Sequence, residues 1–452
     1  MLKLINGVAL IFRRTLPSPF SIAIILTFTT IFLALILTES NFITILNSWE
    51  EGLWNPKLMT FTTQMILMLV LGYVIGLTPF ANNIISKITG LCSSNSRSAA
   101  LVSFFSILVS LLNWGLGLIF GAILARKVAE HACENKVQIN YPLIGAAGYS
   151  GLMAWHGGLS GSAPLKIAEK NHFKDIISDE NLLSKIPENL DLSYTIFSPM
   201  NIIVCSTLLF IIPLTFYLIG KRVKTKEIFI KNKLKKKKFS SNNLIGAEKI
   251  DFNRIFGQII GLFILIVAIN KGIKASSLSF IDPNFINLTL LGLAIFLHKQ
   301  IISFLEAVKE GIQNAAGILI QFPLYFGIMA VLKDSGLIEM ISDLFVQISN
   351  ENTFPIYTMF SAGLVNIFVP SGGGQWMIQG PMILQASIEI GVPIQKSIMA
   401  LTYGDQLTNM MQPFWALPLL YITNLKAKDI LPYTLLIMIL GFFIFLICLI
   451  LI

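Results

Sequence analysis

Apolar residues fall in long blocks along this chain, and the blocks have the length a bilayer demands. A helix that crosses a membrane takes ~20 residues, with a range of about 17–25. Stretches 19–38, 58–78, 197–220 and 431–452 meet that length, as do 312–332 and 252–270, while 285–298 is shorter. Two further apolar stretches, 141–165 and 396–423, are interrupted by polar residues, Gly and Pro. Two more, 98–125 and 354–388, are broken near the middle, at Asn113-Trp114-Gly115 and at Pro370-Ser371-Gly372-Gly373-Gly374. An arm of ~14 residues reaches ~21 Å at 1.5 Å per residue, enough to enter the membrane and return. The pattern therefore predicts two re-entrant hairpins.

The two breaks sit in matching places. Asn113 precedes Tyr149 by 36 residues and Asn366 precedes Tyr403 by 37, and each Tyr precedes a Pro-Leu pair, at Pro164 and Pro418, by 15. Helix breaks free backbone N–H and C=O groups, which persist at membrane depth only where protein or a wet cavity satisfies them. Paired breaks in two halves point to the binding site of a secondary transporter. The reading is an all-α polytopic membrane protein of two inverted repeats, with re-entrant hairpins, broken helices and about 9–12 transmembrane elements. Its parts are an interfacial N-terminus (1–18), a first membrane repeat (19–220), a basic cytoplasmic loop (221–254), a linking span (255–284) and a second membrane repeat (285–452).

Composition agrees. The chain has 452 residues, 54% hydrophobic and 13% charged, against about 25% charged in soluble domains. Lys and Arg outnumber acids to give +9. Segment 221–254 carries that whole excess and includes Lys235 to Lys238, as cytoplasmic loops beside anionic lipid do. The charge thus implies a lipid bilayer rather than nucleic acid. With the N-terminus cytoplasmic and both broken segments folded as hairpins, 24 Lys/Arg lie inside and 9 outside, following the positive-inside rule. Nine full spans result, and the two halves run in opposite directions. Residues 1–12 are apolar, but Arg13 and Arg14 follow and no small-residue cleavage site does, so they do not read as a secretory signal. The four cysteines are scattered, with neither metal nor disulfide spacing.

Three clusters carry candidate chemistry. Trp155-His156-Gly157-Gly158-Leu159-Ser160-Gly161-Ser162 is too rich in Gly and Ser for a continuous helix. Unwound backbone beside a helix N-terminus offers N–H donors and a positive dipole end to a carboxylate, and Ser160 and Ser162 add hydroxyls. Ser371 to Trp376 form the second hairpin tip, and the absence of a following Lys-Ser/Thr excludes a P-loop. Asp405, Asn409 and Gln412 fall at i, i+4 and i+7 and predict one polar helix stripe. A charge at mid-membrane costs at least ~3 kcal/mol and is usually functional. Asp405 is thus the candidate for a coupling H+ or Na+, and His156, whose ordinary titration range suits a relay, is a second, separate candidate. Gln64 and Gln321 either bridge helices or line the path. No Arg or Lys lies in the apolar cores of these segments, which favours a small, singly charged anion held by dipoles, amides and hydroxyls. The substrate-binding candidates are Asn113, Trp114, Gly115, Gly157, Gly158, Ser160, Gly161, Ser162, Ser371, Gly372, Gly373, Gly374, Gln375, Trp376, Asn409 and Gln412. No resident cofactor or metal is expected, and self-association stays open.

The motifs Val369-Pro-Ser-Gly-Gly-Gly-Gln-Trp-Met-Ile-Gln-Gly-Pro381, Tyr403-Gly-Asp-Gln406, Met411-Gln-Pro-Phe-Trp-Ala-Leu-Pro418, Asn113-Trp-Gly-Leu-Gly117 and Gln321-Phe-Pro323 resemble the bacterial short-chain fatty acid transporter family. The resemblance covers nearly the whole chain. It implies a plasma-membrane carrier for short monocarboxylates such as acetoacetate and butyrate, and not an enzyme. The four histidines are dispersed and no Ser-His-acid or HExxH pattern occurs, which also argues against catalysis. A channel or uniporter of the same architecture is the alternative, distinguished by the absence of saturation and counterflow.

Overall fold

The computed structural model describes residues 17–169, 171–177, 180–227, 246–275, 280–313 and 315–452. The Lys235–Lys238 run and the N-terminal residues 1–16 lie outside them.

Helix starts follow from local chemistry. Ser, Thr, Asn or Asp side chains accept from the first free N–H groups, and Pro at the first helical position loses nothing because its N–H would be unpaired there. Ser18-Pro19, Asn55-Pro56, Thr78-Pro79, Ser198-Pro199 and Asp282-Pro283 each begin a helix in this way. The first half runs α1 (Pro19–Leu37), α2 (Phe42–Leu53), α3 (Pro56–Gly76), α4 (Pro79–Gly90), α5 (Asn95–Leu112) and α6 (Trp114–Glu134). An interrupted stretch follows: α7 (Tyr141–Tyr149), 3-10 turns at Ser150–Met153 and Trp155–Gly157, and α8 (Ser162–Lys166). Next come α9 (His172–Ile176), α10 (Glu180–Leu183) and α11 (Pro199–Gly220), then α12 (Glu248–Phe252) and α13 (Arg254–Lys274). The second half repeats the order: α14 (Pro283–His298), α15 (Ile301–Gln313), α16 (Ala316–Asp334), α17 (Leu337–Gln347), α18 (Phe354–Phe368) and α19 (Gly372–Ile390). Its interrupted stretch is α20 (Ile394–Thr408), a turn at Asn409–Met411 and α21 (Pro413–Thr423), and α22 (Ala427–Leu451) closes the chain.

This is an all-α, multi-pass membrane protein. Among the described residues, six helical segments are long and apolar enough to cross a bilayer. Phe28, Phe32, Phe210, Leu214, Ile255 and Phe263 point outward, as lipid-facing side chains do. His156, Asn366, Gln375 and Asp405 are at most 1% exposed, so the polar groups are the ones shielded from lipid.

Both broken segments are hairpins. A Cβ on Gly121 would lie 2.7 Å from Ser106 Oγ, a contact that a single helix, kinked or straight, could not make across 15 residues at 1.5 Å each. Gln375 Nε2 donates to Ala362 O at 2.8 Å and Gln379 Nε2 to Ser361 Oγ at 3.1 Å, which folds α19 back on α18. The first hairpin is longer than its apolar pattern predicts. Its arms have 18 and 21 residues, because the charged segment after Ala125 continues as helix with Arg126 and Lys127 paired to Glu130.

Segments 39–57, 79–97 and 333–353, which separate the apolar stretches, contain α2, α4 and α17. These helices are 11 or 12 residues long with polar faces, so a search for bilayer-length apolar runs passes over them. Helix α2 crosses α16 at close range. A Cβ on Gly52 would lie 2.7 Å from Phe326 O, and one on Gly327 2.6 Å from Trp49 Cδ1. Gly52→Leu should therefore cost about 1–3 kcal/mol of overpacking and lower the thermal midpoint in detergent; an unchanged midpoint would mean this crossing is not tightly packed. Of the two glutamines in the second spans, Gln64 bridges helices, donating to Asn284 Oδ1 at 3.0 Å.

Candidate functional site

The first interrupted stretch unwinds where its glycines require it. Leu159 N–H donates to Leu111 O at 2.8 Å, and a Cβ on Gly158 would run into that same carbonyl. Ser160 Oγ accepts from Trp114 N–H at 2.9 Å. The first hairpin tip is thereby pinned beside the middle of the break. Asn113 is extended and caps α6, its Oδ1 accepting from Leu116 N–H at 2.9 Å. The other end of that amide, Nδ2, is buried without a partner among the described residues, as is Trp155 Nε1. Gly115 N–H, in the first turn of α6, has no acceptor among the described residues. Asn113 Nδ2 and Gly115 N–H thus lie without acceptors at the positive end of the 21-residue α6, and Trp155, whose ring centroid is 6.0 Å from that of Trp114, carries a third such donor on the neighbouring break.

The second tip has the opposite character. Asn366 Nδ2 lies within 2.9 Å of Asp405 O, Thr408 Oγ1 and Asn409 Oδ1, and Gln412 Nε2 donates to Asn366 O. The buried Asn366 Oδ1 and Gln412 Oε1 have no donor among the described residues. Ser371 Oγ caps α19 by accepting from Gly374 N–H at 3.2 Å.

Between the tips lies a buried pair. His156 Nδ1 and Asp405 Oδ2 are 2.6 Å apart, with the side chains 0% and 1% exposed. Gln406 Oε1 accepts from His156 N–H at 3.1 Å. Trp155 stacks on the imidazole with centroids 4.3 Å apart, and Gly372 closes the edge of that stack, where a Cβ would lie 2.7 Å from His156 Cε1 and 3.0 Å from Trp155 Cη2. Ala163 N–H points at His156 Nε2 at 3.4 Å. A nitrogen that receives an N–H is unprotonated, so the hydrogen-bond network assigns the proton to Nδ1, donated to Asp405. Among the described residues no Lys or Arg pairs with Asp405. Nor do three His, Cys, Asp or Glu side chains cluster as metal ligands among them.

The fold thus joins His156 and Asp405, 249 positions apart, and sets Gly372 against them. Gly373 lies near Ser162, 3.8 Å from a hypothetical Cβ to Ser162 Oγ. Other candidates are placed differently. Trp376 is 1% exposed in a separate apolar cluster with Phe173 and Leu401, and its Nε1 donates to His172 Nε2 at 2.9 Å. Gln375 turns its amide into the hairpin, onto Ala362 O and Gln379. The expected stripe of Asp405, Asn409 and Gln412 does not form, because α20 unwinds at Asn409–Met411. Asp405 turns to His156, while Asn409 and Gln412 bind Asn366. Gly157 presents its carbonyl to Asn201 Nδ2 at 2.8 Å.

Sequence reasoning passed over the bonds that join the halves. Tyr149 OH donates to Asn409 O at 2.8 Å, and Tyr403 OH to Asn201 Oδ1 at 3.2 Å. The matched spacing of the two tyrosines was the available signal. Ser160→Ala removes the hydroxyl that holds the first tip. Leaving Trp114 N–H unpaired costs about 1–3 kcal/mol, so apparent substrate affinity should fall about tenfold with the protein still folded. Unchanged affinity in a transport assay would show that this bond does not hold the tip.

The family described as Short chain fatty acid transporter matches residues 1–452. Two relatives carry the provisional name short-chain fatty acid transporter. That of Escherichia coli K12 is 34% identical over 93% of this chain and 92% of its own. That of Haemophilus influenzae is 33% identical over 93% of each. Among solved structures, MtrF of Neisseria gonorrhoeae, from a class of antimetabolite efflux pumps, aligns over 96% of this chain and 95% of its own, with 11% identity and a TM-score of 0.44. The YdaH transporter of Alcanivorax borkumensis aligns over 95% and 97%, with 13% identity and a TM-score of 0.41.

Proposed function

We propose that this chain, which belongs to the short-chain fatty acid transporter family, is a secondary carrier that moves short monocarboxylate anions such as acetoacetate and butyrate across the bacterial inner membrane, coupled to H+ or Na+. The observation that carries this reading is the pair of donors without acceptors at the first tip among the described residues, Asn113 Nδ2 and Gly115 N–H, with Trp155 Nε1 a third on the neighbouring break. A carboxylate is an acceptor-only group and fits a donor-only site at a helix N-terminus. No fixed cation is needed for a single charge.

His156 and Asp405 supply the coupling. With Nδ1–H donated to an ionised Asp405, the pair is a buried net negative charge, and an anion will not settle nearby until it is neutralised. H+ or Na+ therefore binds first. A proton arriving on the imidazole places N–H on Nε2, directly opposite Ala163 N–H, and two donors then face each other. That contact opens, and the start of α8 moves, so charge neutralisation is linked to the shape of the first break. The repeated order of helices, with the halves oppositely oriented as the charge bias implies, lets one assembly move against the other around the site. The N-terminus lies in the cytoplasm.

Counterflow tests the carrier against a channel. Proteoliposomes loaded with unlabelled butyrate should transiently concentrate labelled butyrate from outside. Non-saturating flux without an overshoot would establish a channel instead.

A further inference from the structure

We infer that an apolar chamber beside the first tip receives the alkyl tail of the substrate and sets how long that tail can be. This rests on the carrier reading above and assigns the part of the site that the polar residues leave undefined. The chamber is small, with a cavity volume of about 20 Å3, and lies between α3, α6, α16 and α21, walled by Met65, Met68, Trp114, Leu118, Phe322 and Trp415. Trp415 meets Trp114 edge to face at 5.0 Å and Phe322 at 6.2 Å, which makes the aromatic wall stiff.

Its position identifies the occupant. Gly115 lines the chamber and also carries the unbonded N–H of the tip, so the head-group donors and the apolar walls meet at one residue. A Cβ on Gly115 would run into Met68 Sδ, and glycine is what lets α3 close against the tip. A molecule with an acceptor-only head and an apolar tail satisfies both parts at once. On α6 the lining runs from Trp114 to Ile119, ~7.5 Å, and on α3 from Met65 to Leu69, ~6 Å. So small a chamber admits only a short tail.

A chain-length series from acetate to octanoate, competing against labelled butyrate counterflow in proteoliposomes, tests this. For the unmodified protein, inhibition should strengthen about fourfold per added methylene and then weaken once the tail outgrows the chamber. Met65→Ala lengthens the chamber and should shift the hexanoate-to-butyrate ratio about tenfold or more toward hexanoate. Leu118→Phe fills it and should shift the optimum toward propionate and acetate. The opposite signs separate a chamber effect from general damage. If both variants exchange butyrate with the unmodified chain-length profile, the tail chamber is wrong and the carrier reading stands. If no acid of any length competes in the unmodified protein, the carrier reading fails and the chamber falls with it.

Discussion

Asp405→Asn is expected to abolish accumulation of butyrate against its gradient while leaving exchange of butyrate for butyrate in place. The substitution keeps the shape of the side chain and its Oδ1 can still accept from His156 Nδ1, now at 2.6 Å from Asp405 Oδ2, so the break around Trp155 and His156 should keep its packing. What disappears is the buried negative charge that calls for H+ or Na+. A tenfold inward gradient of the coupling ion is worth about 1.4 kcal/mol and, in a one-to-one electroneutral cycle, supports about tenfold accumulation. The variant should reach about onefold. Full accumulation by Asp405→Asn would remove this carboxylate from the coupling mechanism.

Gly372→Val should reduce transport by about two orders of magnitude, whereas Gly373→Ala, one residue on, should leave it close to normal. A Cβ at 372 would stand 2.7 Å from His156 Cε1 and 3.0 Å from Trp155 Cη2. Neither ring can give way easily, because His156 is bonded to Asp405 and Gln406 and Trp155 is stacked upon it. Overpacking of this kind costs about 1–3 kcal/mol, which at its upper end is about a hundredfold in an equilibrium. At 373 the nearest atom to a Cβ is Ser162 Oγ at 3.8 Å, an ordinary contact, and alanine favours the helix by up to ~1 kcal/mol. Uptake by both variants, with each shown to be present in the membrane, decides the matter. Equal effects would mean that the second tip does not press on the His156–Asp405 pair.

Much of the architecture is legible along the chain because bilayer-length apolar runs and Ser/Asn/Asp-Pro starts are local signals. The two hairpin tips are legible for the same reason, since Asn113 and Pro370 to Gly374 break helices by their own chemistry. The short helices α2, α4 and α17 are not, because their apolar faces are too brief to stand out and they form by packing on distant partners, as Gly52 does on α16. Side-chain direction is the other thing the chain withholds. Trp376 and Gln375 sit in the most distinctive motif, yet they serve the internal packing of the second hairpin. The spacing of Asp405, Asn409 and Gln412 predicts one face only while the helix continues, and it unwinds at Asn409. His156 and Asp405 were each suspect as polar groups at depth, but their pairing depends on two breaks from different halves meeting.

The most direct measurement is the steady-state ratio of internal to external labelled butyrate in proteoliposomes holding the purified protein, with inward pH and Na+ gradients imposed separately. The account predicts saturable uptake and a ratio above one under one of the two gradients, with acetoacetate as a competitor. A ratio of one under both gradients, from folded protein in sealed vesicles, would contradict it.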